Sequence, residues 1–214
     1  MKILGVIPAR YGSTRFEGKP LADINGYPMI QWVYESAKKA GFDELVVATD
    51  DQRIYDVVIN FGGKAVMTGE HDTGTDRIIE VAGKFEEFEV IINIQGDEPL
   101  IEAEVLKKLA AAFEDKNCVM ATMKHKIVGE DDITNPNIVK VITDINNNAV
   151  YFSRSPIPYK RNEAGAVYYR HIGIYGYKRE FLMGYNSLAP SILEKTESLE
   201  QLRAIENGYK IKVL

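Results

Sequence analysis

The order of apolar and polar positions divides the first half of the chain into alternating strands and helices. Residues 2–7 are an apolar run of strand length, which predicts a first, buried β-strand. Pro28 then stands at a first helical position. Met29, Trp32, Val33 and Ser36-Ala37 recur at helical spacing after it, up to Gly41. Residues 45–49 read as a second buried strand closed by Asp50-Asp51, with Asp51 capping a helix whose stripe is Ile54, Val57, Val58 and Phe61 before Gly62-Gly63. A short third strand occupies 64–67. Thr75 or Asp76 opens a helix carrying Ile78, Ile79 and Ala82, ending near Phe85. Residues 90–94 are almost wholly apolar, as a central parallel strand is, and lead into Gln95-Gly96-Asp97-Glu98-Pro99. A further helix presents Val105, Leu106, Leu109, Ala110 and Phe113. This alternation predicts an α/β fold, a doubly wound and mostly parallel sheet with right-handed crossovers.

The rhythm changes after the strand at 119–123. Residues 138–143 and 149–152 read as short strands around the turn Asp144-Ile145-Asn146-Asn147-Asn148, and 155–165 is a Pro- and Gly-punctuated loop. Residues 171–177 predict another strand. A single last helix is expected over about 191–206, stopped at Asn207-Gly208, and 210–214 forms the final strand. On that helix Glu197, Glu200 and Gln201 share one side and Leu199, Leu202 and Ile205 the other, so periodicity assigns the polar trio to a solvated face. With 214 residues, 1–214 is expected to be one domain with a smaller insertion at about 124–170.

Candidate chemistry is concentrated directly after the first strand, in Ile7-Pro8-Ala9-Arg10-Tyr11-Gly12-Ser13-Thr14-Arg15-Phe16-Glu17-Gly18-Lys19-Pro20-Leu21. Arg10, Arg15 and Lys19 are spaced by small residues, and open α/β sheets bind ligands at strand ends. Such a loop can bring backbone N–H groups and cations close to a polyphosphate. It is not a Walker loop: five residues separate Gly12 from Gly18, and Pro20 follows Lys19, which predicts extended chain at Lys19 where a Walker loop enters its helix. Asp97 lies beyond the end of the central strand, where one carboxylate can hold Mg²⁺ against phosphate oxygens. Capping of the next helix is the alternative role for Asp97. Thr73-Gly74-Thr75-Asp76-Arg77 offers hydroxyls and backbone N–H groups for a base or ribose, and Arg77 for phosphate, although capping by Thr75 also accounts for much of it.

Charge and composition narrow the picture. A formal net charge of -5 argues against non-specific nucleic-acid binding and makes the N-terminal cations a local patch. The single cysteine, Cys118, sits in an apolar run and reads as a small buried hydrophobe of a reducing compartment. No apolar run reaches the ~18 residues of a membrane span, and the chain opens on a strand, so a cytoplasmic protein is expected. His71, His125 and His171 are scattered, without companions at zinc-ligand spacing. No Gly-x-Gly-x-x-Gly follows a strand and no nucleophile elbow is present.

Taken together, Pro8-Ala9-Arg10-Tyr11-Gly12-Ser13-Thr14-Arg15, Gly18-Lys19-Pro20-Leu21, Ala48-Thr49-Asp50, Gly74-Thr75-Asp76-Arg77, Gln95-Gly96-Asp97-Glu98-Pro99, Tyr151-Phe152-Ser153-Arg154, His171-Ile172-Gly173-Ile174-Tyr175-Gly176-Tyr177 and Leu199-Glu200-Gln201-Leu202-Arg203 resemble the CMP-Kdo synthetases, the 3-deoxy-manno-octulosonate cytidylyltransferases, in order along almost the whole chain. The resemblance implies a Rossmann-like nucleotidyltransferase fold with a small β-rich dimerisation insertion and a homodimer. It implies transfer of CMP from CTP to Kdo, with release of pyrophosphate, for lipopolysaccharide synthesis in the cytoplasm. By position it implies that Pro8, Ala9, Arg10, Ser13, Lys19, Thr73, Gly74, Arg77 and Gln95 contact the nucleotide and that Lys19, Arg10 and Asp97 serve catalysis. Asp97 would hold Mg²⁺, and Gln95, Arg154, His171, Tyr175, Glu200 and Gln201 would hold the sugar acid. For Glu200 and Gln201 this displaces the solvated-face reading.

Two departures from the family pattern carry expectations of their own. Members continue into a Gly-Val-Asp-Thr-Pro-Glu-Asp-Leu-like segment whose aspartate is a second metal ligand, whereas the sequence here ends at Leu214, so a shortened sequence or an impaired activity is expected. Phe16-Glu17 replaces Leu-Pro before Gly18, which predicts a more mobile loop. The competing readings are a cytidylyltransferase for 8-amino-Kdo or a sialic acid, and a nucleotide-binding protein with weak catalysis.

Overall fold

The structure is a computed structural model and describes residues 1–12, 16–162 and 165–214. Its chain divides into two compact units, Met1–Ala111 with Gly176–Met183 and Ala112–Tyr175 with Gly184–Leu214.

The first unit runs β1 (Ile3–Ala9), a single 3-10 turn (Lys19–Leu21), the hairpin β2 (Asp23–Ile24) and β3 (Tyr27–Pro28), α1 (Met29–Lys38), β4 (Glu44–Thr49), α2 (Gln52–Asn60), β5 (Ala65–Met67), α3 (Gly74–Lys84), β6 (Val90–Asn93) and α4 (Ala103–Ala111). Its strands lie in the order β6-β1-β4-β5 and pair in parallel. Leu4, Val6 and Ile7 of β1, Val47 and Ala48 of β4, and Val90, Ile91 and Ile92 of β6 are fully buried. Consecutive buried positions are what a parallel strand covered on both faces requires, which is why these runs read as continuous apolar stretches.

Three local expectations change. Pro28 is the extended N-cap of α1 (ψ 144°) rather than its first helical residue, and the buried side of α1 is Ile30, Val33, Tyr34 and Ala37, while Trp32 is exposed and donates through Nε1 to the Ile24 carbonyl. The cap of α3 is Thr73, whose Oγ1 accepts from the Asp76 N–H at 3.1 Å. Thr75, the expected cap, is buried. A side-chain oxygen at the residue before the first helical turn reaches an orphan N–H three residues on, and Thr75 is already inside that turn. Lys19 opens a 3-10 turn instead of an extended segment. Gly18 precedes it in the left-handed region at φ 69°, and the fixed φ of Pro20 suits a single helical turn.

The second unit contains β7 (Met120–Lys126), the short helix α5 (Glu130–Thr134), β8 (Lys140–Thr143), β9 (Ala149–Ser153) and most of β10 (Tyr169–Lys178), whose last residues and most of α6 (Arg179–Gly184) belong to the first unit. It ends with α7 (Ile192–Glu197), α8 (Leu202–Glu206) and β11 (Ile211–Val213). β8 pairs antiparallel with β9 and β10, whereas β11 pairs in parallel with β7. Cys118 is buried, as its apolar setting predicts. Lys140 is fully buried, and its ammonium donates to the carbonyls of Asn135, Ile138 and Arg154 at 3.0, 2.7 and 2.5 Å. Three acceptors match the three protons of an ammonium, which lets the cation stay inside although burial lowers its pKa. Among the described residues no helix is long and apolar enough to cross a membrane.

The expected single last helix is two short ones. Ser198 sits in the left-handed region (φ 52°, ψ 50°) and ends α7, and the Leu199 N–H bonds back to the Glu194 carbonyl at 3.1 Å. Because the rod breaks there, helical periodicity no longer relates Glu197 to Gln201. Gln201 is buried at 5% exposure, and the Glu197 carboxylate accepts from Ser153 Oγ at 2.6 Å and the Arg154 N–H at 2.9 Å. The solvated-face reading therefore fails for both residues.

Candidate active site

Two strand ends and one turn build a cleft in the first unit. β1 ends at Pro8-Ala9 and leads to Arg10, and β6 leads through Gln95 and Gly96 to Asp97. The 3-10 turn supplies Lys19. These residues, with Phe16 and Pro20, line a cavity of about 390 Å³. Lys19 Nζ donates to Asp97 Oδ2 at 2.6 Å across 78 positions of sequence. Both side chains are substantially exposed (37% and 51%), so the pair adds little to stability, and its significance is positional. Gly96 makes the approach possible: a Cβ there would lie 2.7 Å from the Pro8 carbonyl oxygen. Gly18 serves the other side, with its N–H on the Tyr11 carbonyl at 2.8 Å.

A second cavity of about 690 Å³ shares Arg10 and is lined by Tyr11, Gly12, Asp50, Asp51, Arg53, Glu70, His71, Asp72 and Asp76. Thr73 caps α3, and Gly74 and Arg77 lie in its first turn, next in sequence to the lining residues Asp72 and Asp76. Arg77 is buried at 2% exposure. It donates to Asp50 Oδ2 at 2.6 Å, to Thr68 Oγ1 and to the Gly69 carbonyl at 3.4 Å, so its guanidinium positions the Asp50 carboxylate that lines the cavity. Ser13 lies outside the described residues, as does Arg15.

The remaining expected site residues, apart from Gln95, belong to the second unit. The Arg154 guanidinium donates to the carbonyls of Glu197 (2.7 Å), Pro136 (3.0 Å) and Ser198 (3.4 Å), closing the end of α7, where free carbonyls and the helix dipole favour a cation. Burial pushes the Glu197 carboxyl up, but the donors Ser153 and the Arg154 N–H outweigh it and hold the group below its ordinary value. His171 lies between Phe152 and Tyr175, with ring centroids 4.9 and 5.4 Å away. Its Nε2 is 2.9 Å from Thr122 Oγ1, and burial lowers the imidazole pKa to about 3. Burial, and after it the charges of Tyr185 and Glu200, raises the Tyr175 phenol. Tyr185 donates to the Glu200 carbonyl at 2.9 Å, and Gln201 keeps a buried amide nitrogen, Nε2, without a hydrogen-bond partner among the described residues. Sequence reasoning missed Glu197, Thr122 and Asp50 as organisers of this chemistry. For Thr122 the available signal was a lone hydroxyl in the otherwise apolar run Met120-Ala121-Thr122-Met123.

A cytidylyltransferase family model matches residues 4–211. The 3-deoxy-manno-octulosonate cytidylyltransferase of Fusobacterium nucleatum is 59% identical over 216 residues, covering 100% of this chain and 88% of that protein. This chain belongs to the 3-deoxy-manno-octulosonate cytidylyltransferase family. Further members are 49% identical in Acaryochloris marina, over 100% of this chain and 88% of the relative, and 53% identical in Leptospira biflexa, over 99% and 87%. The solved structure of a CMP:2-keto-3-deoxy-manno-octonic acid synthetase complexed with CTP superposes with a TM-score of 0.97 at 47% identity, covering 100% of this chain and 89% of that one. A cytidylyltransferase from Leptospira borgpetersenii, at 16% identity and a TM-score of 0.65 over 100% and 76% of the two chains, shares the α/β fold alone. The mostly parallel α/β sheet expected from the strand and helix pattern is thus the fold of this family, and the nucleotidyltransferase class is the one the resemblance implied.

The acid side of the pH range tests the His171 environment. The folded pKa of about 3 lies below the ordinary imidazole value of 6.5, so the unfolded chain binds the extra proton first. Between pH 6.5 and 3 the contribution of this group weakens as pH falls, and above 6.5 it is fully present. The midpoint of denaturant unfolding should drop over that window, and less steeply in His171→Gln.

Proposed function

We propose that the chain transfers CMP from CTP to the anomeric hydroxyl of 3-deoxy-D-manno-octulosonate, releasing pyrophosphate, in the supply of an activated sugar acid for lipopolysaccharide synthesis in the cytoplasm. The observation that carries the reading is the 2.6 Å pairing of Lys19 with Asp97 in one cleft, in a chain whose relatives bear that activity's name. Lys19 and Asp97 pair in this cleft, and a triphosphate with its metal would offer the cation phosphate oxygens and the carboxylate a metal ion.

In the proposed site, Pro8, Ala9, Arg10, Ser13, Lys19, Thr73, Gly74, Arg77 and Gln95 receive the nucleotide. Arg10 and Lys19 offset the triphosphate charge, and Arg77 acts through Asp50. Arg154, His171, Tyr175, Glu200 and Gln201 hold the sugar acid, with Gln95 assigned to both substrates. The unpartnered Gln201 amide supports that role, because a buried donor without an acceptor costs free energy that a ligand oxygen recovers. The sugar hydroxyl attacks the α-phosphorus in line and pyrophosphate leaves, so the work of the protein is positioning and charge stabilisation without a covalent intermediate. The exposed Asp97 carboxylate fits Mg²⁺, which favours one or two carboxylates with phosphate oxygens and water. When bound, the ion supplies Lewis-acid polarisation of the phosphate and lowers the pKa of the attacking hydroxyl. A homodimer belongs to the same proposal.

Pyrophosphate release with CTP and Mg²⁺ should proceed with Kdo and be much slower with 8-amino-Kdo or a sialic acid. Preference for another acid changes the substrate assignment, and CTP binding without pyrophosphate release from any acid defeats the reading.

A further inference from the structure

A half-buried neutral imidazole presents a ligand with either a donor or an acceptor, depending on which ring nitrogen carries the proton, and the partner of the other nitrogen decides which. His171 has one such partner in the protein. Its Nε2 lies 2.9 Å from Oγ1 of Thr122, a fully buried residue in the middle of β7. The same oxygen is 2.8 Å from the Ile174 carbonyl and 3.0 Å from the Ile172 carbonyl, both on β10 beside the histidine. A hydroxyl has one proton and two lone pairs, and a carbonyl can only accept. The Thr122 proton is therefore committed to the β10 carbonyls, and the oxygen can meet the ring only as an acceptor. That requires the proton of the imidazole on Nε2. Phe152 and Tyr175 pack on the ring edge-on and tilted, at interplanar angles of 76° and 50°, which opposes the ring flip that would exchange its nitrogens.

We propose that Thr122 is a positioning residue that locks His171 in the Nε2–H tautomer, leaving Nδ1 as an acceptor for a hydroxyl of the sugar acid. The inference rests on the sugar-acid reading of His171 and deepens it by naming the group that His171 recognises. An Nδ1 lone pair takes a hydroxyl donor and repels a carboxylate or keto oxygen, so His171 reads a hydroxyl of the substrate and the carboxylate is left to other groups. The low pKa of the ring agrees with this geometry, since it keeps the imidazole neutral, and the tautomer meaningful, at neutral pH.

The test uses the full chain labelled with ¹⁵N-histidine, His171 being assigned from the signals lost in His171→Gln. The ring ¹⁵N shifts of wild type at pH 7.5 should show a protonated Nε2 and an unprotonated Nδ1, and Thr122→Ser should keep that pattern. Thr122→Val, which preserves shape but removes the acceptor, should mix or invert the tautomers. It should also raise the KM for Kdo about tenfold while leaving the KM for CTP nearly unchanged, with recovery in Thr122→Ser. An Nδ1–H tautomer in wild type overturns the proposal without any variant having to fold. So does a Thr122→Val protein that changes tautomer but keeps its KM for Kdo. If wild type releases no pyrophosphate with any sugar acid, the functional reading fails, and the tautomer, measured without substrate, still decides the role of Thr122.

Discussion

Lys19→Ala is expected to lower kcat/KM for pyrophosphate release by about a hundredfold or more, as the loss of a charged group aimed at developing phosphate charge does elsewhere. The structural reason is that the Nζ of Lys19 lies 2.6 Å from Asp97, in the same cavity as Arg10 and Gln95. The unfolding midpoint should hardly move, because the pair is exposed and worth little to the fold. Lys19→Arg keeps the charge but places a planar fork in a turn built for a point charge, and should recover only part of the rate. Steady-state kinetics at saturating Mg²⁺, with denaturant unfolding alongside, separates these effects. Near-normal turnover in Lys19→Ala would remove Lys19 from the mechanism. A loss of stability matching the loss of rate would assign it a scaffolding role instead.

Gly96→Ala is expected to damage both stability and rate. A methyl group at this position meets the Pro8 carbonyl oxygen at 2.7 Å, and that oxygen is backbone near the end of a strand paired on both sides, so it cannot swing aside. Either β1 or the segment from Gln95 to Asp97 must move. Overpacking of this kind costs about 1–3 kcal/mol, and a shift of the order of 1 Å in Asp97 costs about a hundredfold in rate. The measurement is the unfolding midpoint together with kcat/KM for CTP. If activity falls and stability does not, the loop has moved and the strand has held. If neither changes, the close approach has no functional meaning.

The two variants also show how differently the site could be read from the chain. Lys19 and Asp97 are recognisable in sequence because each follows a strand whose apolar run announces it, and in a parallel sheet all such ends lie on one edge. Their mutual distance is not recognisable, since it depends on the single 3-10 turn at Lys19–Leu21, where proline argued for extended chain. The expected nucleotide residue Arg77 has a similar history. Its place near a helix start is local, but its pairing with Asp50 joins α3 to the end of β4, and no spacing rule connects residues 27 positions apart.

The end of the chain makes the contrast sharper. Periodicity relates side chains only along an unbroken helix, so one residue in the left-handed region, Ser198, was enough to turn Glu197 and Gln201 from a predicted solvated face into an internal acceptor and a buried amide. A serine carries no strong signal for that conformation. What the amino-acid order determined by itself was the alternation of buried strands and amphipathic helices, the parallel sheet that follows from it, the strand-end positions of Arg10 and Asp97, and the place of Lys19 in the loop after the first strand. These rest on burial periodicity, which is a local property of the chain. Only the tertiary structure decided which strand ends face one cleft, which cations are committed to internal partners, and which nitrogen of His171 Thr122 holds. Those outcomes depend on contacts between residues far apart in sequence, whose geometry no local pattern encodes.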